Sequence, residues 1–305
     1  MKEINMQSDA NHGVEAAPGP RIDRRQFLKM MSGTALGAAL MGIGGLTYMS
    51  RIEPVWFETV HVPLHLSRLA PAFSGFRLVQ LSDIHLSSAM TGERLSEVVR
   101  SVLALSPDLV AITGDFVDNR RRLQQSLDDI TQALRPLVEA TQVVAVLGNH
   151  DYWTGPGSVR QMLAGLGVLE LPNQVLALER EGKSLYIAGV DDVIERHARL
   201  KSVLEQIPET GGAAVLLAHE PDFADQAAGA RRFDLQISGH SHGGQVVLPG
   251  IGPPILPRMG EKYPLGLYTL EGMFQYTNRG LGTIPPRVRF NCRPEITVFT
   301  LEPGE

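Results

Sequence analysis

Cysteine is nearly absent from this sequence, since Cys292 is the only one in 305 residues. A single cysteine excludes an intrachain disulfide and a zinc site built from several cysteines. Aromatic residues make up only 6% of the chain, and the formal net charge is −5. Because no stretch carries a basic stripe with interleaved aromatic side chains, we expect no nucleic acid among the partners.

Residues 1–50 have the pattern of an export signal. A polar stretch, 1–20, precedes a basic segment in which Arg24 and Arg25 are followed by Gln-Phe-Leu-Lys, and a glycine-diluted apolar run then covers 30–49. A basic segment ahead of an apolar one is typical of export signals. The arginine pair resembles the twin-arginine signal, which sends folded proteins across the membrane.

We therefore expect the twin-arginine export machinery to carry the chain to the periplasmic or another extracytoplasmic face. The run 30–49 is long enough to span a bilayer, and no small-x-small cleavage site lies just before Arg51. We favour a retained membrane anchor over a cleaved signal. An ordinary anchor with two chance arginines is the alternative. Residues 51–305 are expected to form a single domain.

Hydrophobic periodicity in that domain predicts an α/β fold. Short apolar runs, which suit strands buried on both faces, occur at 76–81, 109–113, 143–147, 214–218 and 235–238. Helical spacing at 92–105 and 123–139 separates the first three, which indicates βαβ units and a mostly parallel sheet. A second, more antiparallel sheet is expected from the segments 174–179, 184–190, 245–248, 266–270, 273–277 and 296–301. Two facing sheets with helices outside give a four-layer α/β/β/α sandwich.

Each of the five apolar runs leads directly into potential metal ligands. The runs end at Ser82-Asp83-Ile84-His85, Gly114-Asp115, Gly148-Asn149-His150-Asp151, His219-Glu220 and Gly239-His240-Ser241-His242. Sites in open α/β sheets form beyond the carboxyl ends of the strands. We expect alternate donors in the Asp-x-His and His-x-His segments to face one side of an extended chain. The glycines before the donors allow close approach.

The donor set indicates two metal ions. Seven side chains supply carboxylate, amide oxygen or imidazole: Asp83, His85, Asp115, Asn149, His219, His240 and His242. Seven donors exceed one tetrahedral zinc site and suit two adjacent ions that share a bridging carboxylate. Oxygen and imidazole donors accept Mn, Fe, Zn or Co ions, so the metal stays open.

These ordered blocks resemble the calcineurin-like metallophosphoesterase superfamily: Asp-x-His, Gly-Asp-x-x-Asp, Gly-Asn-His-Asp, a lone His and Gly-His-x-His. Further segments resemble the bacterial membrane- or wall-associated branch of this superfamily, whose members often carry twin-arginine signals. These segments are 239–245, 262–263, 266–268, 279–282 and 292–296. The resemblance covers roughly 75–300 and implies a four-layer sandwich with a two-metal active site.

The resemblance also implies a role for each donor. Asp83, His85, Asp115 and His242 would hold one ion, and Asp115, Asn149, His219 and His240 the other, with Asp115 bridging. A hydroxide between the metals would attack phosphorus in line. His150, which belongs to neither set, would protonate the leaving group or stabilise phosphoryl charge.

Other residues carry weaker expectations. Asp151 either holds the ring of His150 or caps a helix. Asp118 is expected in a loop rather than among the ligands. Asp191-Asp192 either reaches the groups that surround the ligands or forms a solvated turn, and we favour the turn. For Arg279 we favour a structural role over a phosphate contact. The apolar segment 249–258 either faces a lipid-bearing substrate or forms a rigid packed loop, and we favour the loop.

The sequence thus predicts a hydrolase of a phosphomonoester, phosphodiester or pyrophosphate, with lipid-linked or cell-envelope substrates suggested by export. The alternative is a metal-stabilised binding or scaffold module on the same fold, without turnover. A metallo-β-lactamase-type zinc hydrolase is excluded, because the chain has no His-x-His-x-Asp-His block.

Overall fold

The computed structural model describes residues 25, 29, 41–87, 89–118 and 120–304. The chain divides into two compact units, Met1–Leu46 and Thr47–Glu305. Residues 41–46 of the first unit are helical. No helix within the described residues is long and apolar enough to cross a membrane. Arg24 of the twin-arginine pair and residues 30–40 of the apolar run lie outside the described residues.

Two six-stranded sheets form the centre of the second unit. The first has the order β1-β12-β2-β3-β4-β5, and the second β10-β11-β9-β8-β7-β6. The strands of the first sheet are β1 (Glu58–Leu66), β2 (Phe76–Leu81), β3 (Leu109–Thr113), β4 (Val143–Val146), β5 (Leu169–Glu170) and β12 (Glu295–Pro303). Those of the second are β6 (Gln174–Arg180), β7 (Lys183–Gly189), β8 (Ala214–Leu217), β9 (Leu235–Ser238), β10 (Gly266–Leu270) and β11 (Met273–Thr277).

Helices cover the outer face of each sheet. They are α1 (Gly92–Ala104), α2 (Leu123–Ala140), α3 (Asn149–Thr154), α4 (Pro156–Leu166), α5 (Leu200–Leu204) and α6 (Ala224–Gly229). Short helical turns are Tyr48–Ile52, Glu53–Val55, Pro71–Phe73, Arg120–Arg122, Pro221–Phe223 and His242–Gly244. Helices α1 and α2 present the apolar stripes expected from the sequence, and Thr91 caps α1 by accepting the Arg94 N–H.

Three apolar cores hold these layers together. One lies between the sheets, where Leu78 and Val144 of the first sheet pack with Ile187 and Val215 of the second. Another joins the first sheet to α1, α2 and α4, and a third joins the second sheet to α5 and α6. The predicted four-layer α/β/β/α sandwich is confirmed.

Some strand predictions need correction. Segment 245–248 is not a strand, because Val246 and Leu248 form only isolated bridges. Segment 296–301 belongs to β12, which lies in the first sheet between β1 and β2. The runs at 214–218 and 235–238 form β8 and β9, which pair with each other in the second sheet. The central strands of that sheet, β7, β8, β9 and β11, are parallel. The five strands that lead into the predicted donors therefore belong to two sheets rather than to one.

Candidate metal centre

All seven predicted donors meet where the carboxyl ends of five parallel strands converge. Asp83 and His85 follow β2, Asp115 follows β3, Asn149 follows β4, His219 follows β8, and His240 and His242 follow β9. Every one of the seven is buried. Because the two sheets face each other across an apolar core, the ends of their central strands open onto one site.

One group of donors surrounds the rings of His85 and His242. Their Nε2 atoms are 3.1 Å apart. His242 Nε2 is 3.3 Å from Asp83 Oδ1, and His85 Nε2 is 3.3 Å from Asp115 Oδ2. Asp83 itself is held by the backbone N–H of His240, which donates to both carboxylate oxygens. These four side chains can enclose one cation.

A second group begins at the same carboxylate oxygen. Asp115 Oδ2 is 3.2 Å from His219 Nε2 as well as 3.3 Å from His85 Nε2. The His219 ring packs against the His240 ring, and His240 Nδ1 is 3.0 Å from Asn149 Oδ1. The other Asp115 oxygen accepts the His150 backbone N–H. Asp115 is thus the member common to both groups.

Hydrogen bonds at the far side of two rings fix which nitrogen is free to bind a metal. His219 Nδ1 lies 2.7 Å from the Thr113 carbonyl, and His240 Nε2 lies 2.9 Å from the Arg258 carbonyl. A carbonyl only accepts, so these nitrogens carry protons. In the neutral rings, His219 Nε2 and His240 Nδ1, which face Asp115 and Asn149, have the lone pairs that a metal requires. His219 Nε2 is buried without a hydrogen bond from any described residue. The donor chemistry therefore fits metal ions.

Burial and neighbouring charges shift the pKa values of these buried groups in different directions. Burial raises the pKa of Asp115, but the facing His219 and His85 rings outweigh it and hold that pKa well below its usual value. Burial lowers the pKa of His219, and Asp115 more than reverses this. Burial and His85 hold the pKa of His242 well below its usual value. Metal binding therefore competes with a proton held between Asp115 and His219.

The backbone at the donors differs from the sequence prediction. The alternation predicts extended segments, and this is wrong: Asp83, His85, His240 and His242 have φ of 49°, 41°, 68° and 52°. Asp115 also lies in the left-handed region, with φ 57°. Left-handed backbone is unfavourable for residues with a Cβ and clusters at functional sites. Alternate residues turn into the site because each bends the chain sharply after its strand ends.

Glycine before a donor is needed for close packing, as predicted. A Cβ added to Gly148 would overlap Asp115 Oδ1 and the His219 ring. One added to Gly239 would overlap Ser82 Oγ and Asp83 Oδ2. Side chains at these two positions would displace the ligands of the neighbouring strand, so the glycines are part of the site's construction.

Comparison with known proteins identifies the family. Residues 76–244 match the family described as calcineurin-like phosphoesterase. The chain is 36% identical to the metallophosphoesterase YkuE of Bacillus subtilis over 285 residues, which cover 92% of this chain and 98% of that protein. It is 29% identical to the phosphodiesterase YaeI of Escherichia coli over 286 residues, covering 92% and 99%. This chain belongs to the calcineurin-like phosphoesterases. It is a metal-dependent phosphoesterase.

His150 stands at the rim of the phosphoesterase site. It is the second residue of α3, and its ring meets the His85 ring edge-on with centroids 4.7 Å apart. Trp153, three residues later and 56% exposed, also packs against the His150 ring, with centroids 4.8 Å apart. Burial lowers the pKa of His150. A ring nitrogen of His150 lies within 4.8 Å of ligand atoms of His85 and Asp115, so the ring borders the donors directly.

Asp151 braces the backbone that carries two of the donors. Its buried carboxylate accepts the N–H groups of Asp115, Phe116, Val117 and Gly148. Its hydrogen bonds do not involve the His150 ring, so the ring-holding prediction is wrong. The hydrogen bond from Gly148 N–H helps to cap α3, which confirms the predicted helix cap. The other three hydrogen bonds fix the loop after β3.

A buried guanidinium braces the other side of the phosphoesterase site. Arg289 is fully buried, and it donates to the carbonyl oxygens of Arg279, Gly280, Gly282 and Cys292 at 2.8, 3.0, 2.6 and 2.9 Å. The backbone of Gly280 and Gly282 packs directly on Asp83 and His85. Arg289 therefore holds the loop against which these two donors rest. No signal in the sequence distinguishes it from an exposed arginine.

The remaining candidates have structural contacts. Asp118 forms an ion pair with Arg287 at 2.8 Å and is not among the donors, as predicted. Arg279 pairs with Glu58 and Glu295, which agrees with the structural role favoured for it. The solvated turn predicted at Asp191-Asp192 is wrong, because both residues are buried. Asp191 accepts from Tyr152 and Arg160.

The segment 249–258 is only partly packed. Ile251 and Ile255 are 78% and 79% exposed, whereas Pro253 and Leu256 lie against Gly244. The same segment supplies the Arg258 carbonyl that orients His240. It therefore connects an exposed apolar edge to a residue of the metal centre.

Proposed function

We propose that this phosphoesterase hydrolyses phosphodiesters at a two-metal centre. The observation that carries the proposal is the position of Asp115 Oδ2, which lies 3.3 Å from His85 Nε2 and 3.2 Å from His219 Nε2. A carboxylate oxygen between two groups of imidazole and oxygen donors is the arrangement that a bridging ligand requires. The relative from Escherichia coli named a phosphodiesterase supports the choice of a diester over a monoester.

The residues divide between the two ions as follows. Asp83, His85 and His242 would hold one, Asn149, His219 and His240 the other, and Asp115 both. Ions at such sites acidify water and neutralise phosphoryl oxygens. Mn, Fe, Zn and Co all suit this mixture of oxygen and imidazole donors. The chain contributes a rigid frame, because Asp151 and Arg289 fix the backbone on either side.

His150 would act on the leaving group. Its ring is only partly buried and lies beside His85, with a nitrogen within 4.8 Å of ligand atoms of His85 and Asp115. From there it would donate a proton to the leaving oxygen or a hydrogen bond to a phosphoryl oxygen. Such help is worth about 10²- to 10⁴-fold in rate.

The test is hydrolysis of bis-p-nitrophenyl phosphate and p-nitrophenyl phosphate by Mn²⁺-loaded protein. We expect faster turnover of the diester, and loss of about 10²-fold or more in kcat in His150→Ala with unchanged metal content. His61→Ala on the exposed edge strand β1 is the matched control. Full metal loading without turnover of either ester would instead support the scaffold alternative.

The substrate proposed for this site carries a lipid. The exposed side chains of Ile251 and Ile255 form an apolar edge on the segment that also orients His240. Ile251→Ser with Ile255→Ser should slow hydrolysis of a phospholipid in mixed micelles and leave bis-p-nitrophenyl phosphate unaffected. Leu169→Ser, another exposed apolar side chain, is the control. Equal losses on both substrates would contradict a lipid-facing role.

Export and membrane attachment belong to the same proposal. Arg24-Arg25 and the apolar run 30–49 support export by the twin-arginine machinery and attachment at the extracytoplasmic face. Such a location would bring the enzyme to lipid-linked or cell-envelope phosphate esters. Replacing both arginines by lysine should leave the protein in the cytoplasm. Unchanged export of that variant would contradict the proposal.

A further inference from the structure

A cleft of about 710 Å³ opens beside the chain segment that follows His85, and arginines line it. Arg121 and Arg122 come from the turn before α2, and Arg287 comes from the loop before β12. Ser87, Thr91 and Gln125 add polar groups to its walls. We call it the arginine cleft. Its volume is typical of sites that bind small organic molecules.

The walls of the arginine cleft are continuous with the loops that carry the donors. Leu86 and Ser87 line the cleft and follow His85 directly in the chain. Their Cα atoms therefore lie within about 4 and 8 Å of the His85 Cα. Arg287 is paired with Asp118, three residues after Asp115. The cleft thus lies beside the loops that follow β2 and β3, which also carry Asp83, His85 and Asp115.

The charge of the cleft favours an anion. Three arginines and the carboxylate of Asp129, which lies beside Gly92 of α1, line the cleft, and Arg287 is also ion-paired with Asp118. Arg121 and Arg122 form an exposed wall of the cleft. Guanidinium groups bind phosphate in a planar, two-pronged geometry. A positive cleft also raises the local concentration of anionic substrates.

We propose that the arginine cleft binds a second phosphate group of the substrate, separate from the phosphate that is hydrolysed. This inference rests on the proposed phosphodiesterase activity and specifies its substrate class: an ester whose alcohol part carries another phosphate. Arg121 and Arg122 determine specificity in this scheme and take no part in bond cleavage. Removing them should weaken binding of the second phosphate without affecting turnover.

A matched pair of chromogenic diesters tests the proposal. One is butyl p-nitrophenyl phosphate, and the other carries a terminal phosphate on the same butyl chain; longer and shorter linkers vary the reach. For the Mn²⁺-loaded wild type, we expect KM for the phosphorylated ester to be about tenfold lower or more, the effect of one charge-assisted hydrogen bond. Arg121→Gln with Arg122→Gln should remove that preference and leave kcat on both esters unchanged.

Arg100→Gln, on the exposed face of α1, is the control and should retain the preference. The inference is overturned if the wild type does not distinguish the esters at any linker length. It is also overturned if the double variant keeps the preference, or if Arg100→Gln loses it equally. Should the wild type hydrolyse neither ester, the proposed function fails. Calorimetric binding of butane-1,4-diol bisphosphate then decides on the cleft: about tenfold weaker binding in the double variant supports it, and equal binding overturns it.

Discussion

Replacing Arg289 by methionine tests whether the loop behind Asp83 and His85 is held by one buried guanidinium. The substitution keeps an unbranched side chain of similar reach and removes the donors to four backbone carbonyls. Three of those carbonyls belong to the segment 279–282, whose Gly280 and Gly282 pack on the two metal donors. We expect this segment to lose its fixed position.

The loss of stability in Arg289→Met is the cost of the lost hydrogen bonds less the gain from removing a buried charge. Four hydrogen bonds at about 1 kcal/mol each give a loss of about 4 kcal/mol. Burial lowers the pKa of Arg289, so removing the buried charge returns part of that loss. We expect unfolding free energy to fall by about 3 kcal/mol. Metal affinity should fall by about 10- to 100-fold, as it does when groups that orient metal ligands are removed.

Urea denaturation of metal-free protein measures the first quantity, and competition with a chromogenic chelator measures the second. Arg289→Lys retains the charge and some donors, so it should fall between wild type and Arg289→Met. Arg293→Met is the control, because Arg293 is partly exposed over Trp56 and touches neither glycine of the loop. Wild-type metal affinity in a folded Arg289→Met protein would refute the bracing role.

Three further substitutions test other parts of the site. Gly280→Ala should weaken metal binding by about tenfold or more in the chelator assay, because Gly280 has φ 73° and an added Cβ would lie 2.8 Å from Asp83 Cβ; unchanged affinity would contradict this. His150→Phe, which keeps a ring against Trp153, should lose as much kcat as His150→Ala, and activity near wild type would exclude a proton or hydrogen-bond role. Burial and Glu220 raise the pKa of Asp192 to about 8, above its unfolded value of about 4. Wild-type stability from this group is therefore full below about pH 4 and is lost as pH rises through about 8. Asp192→Asn should accordingly become progressively more stable relative to wild type across that range in urea denaturation of metal-free protein, and a pH-independent difference would contradict the assignment.

The sequence predicts that the candidate donors lie together because each stands at the end of a short apolar run. Runs such as 109–113 suit a strand buried on both faces, and parallel strands end at a common edge, so Asp83, Asp115 and Asn149 could be placed together. The apolar periodicity at 92–105 and 123–139 likewise predicts the two helices. In these elements local pattern and tertiary environment agree.

Other features depend on contacts far apart in the sequence. Periodicity cannot assign a strand to one of two sheets, and β12 joins the first sheet because its residues pair with β1 and β2. The left-handed backbone at Asp83 and His240 arises from packing between loops that an alternation rule does not consider. Asp191 and Asp192 resemble a solvated turn in sequence, but Tyr152, Arg160 and the neighbouring Glu220 enclose them.

Electron paramagnetic resonance of the fully Mn²⁺-loaded protein tests the shared Asp115 carboxylate most directly. A carboxylate oxygen common to both sites should couple the two Mn²⁺ spins, and we expect the spectrum of an exchange-coupled pair that disappears in Asp115→Asn. Two uncoupled Mn²⁺ signals, or a single ion per chain at saturation, would contradict a bridged two-metal centre.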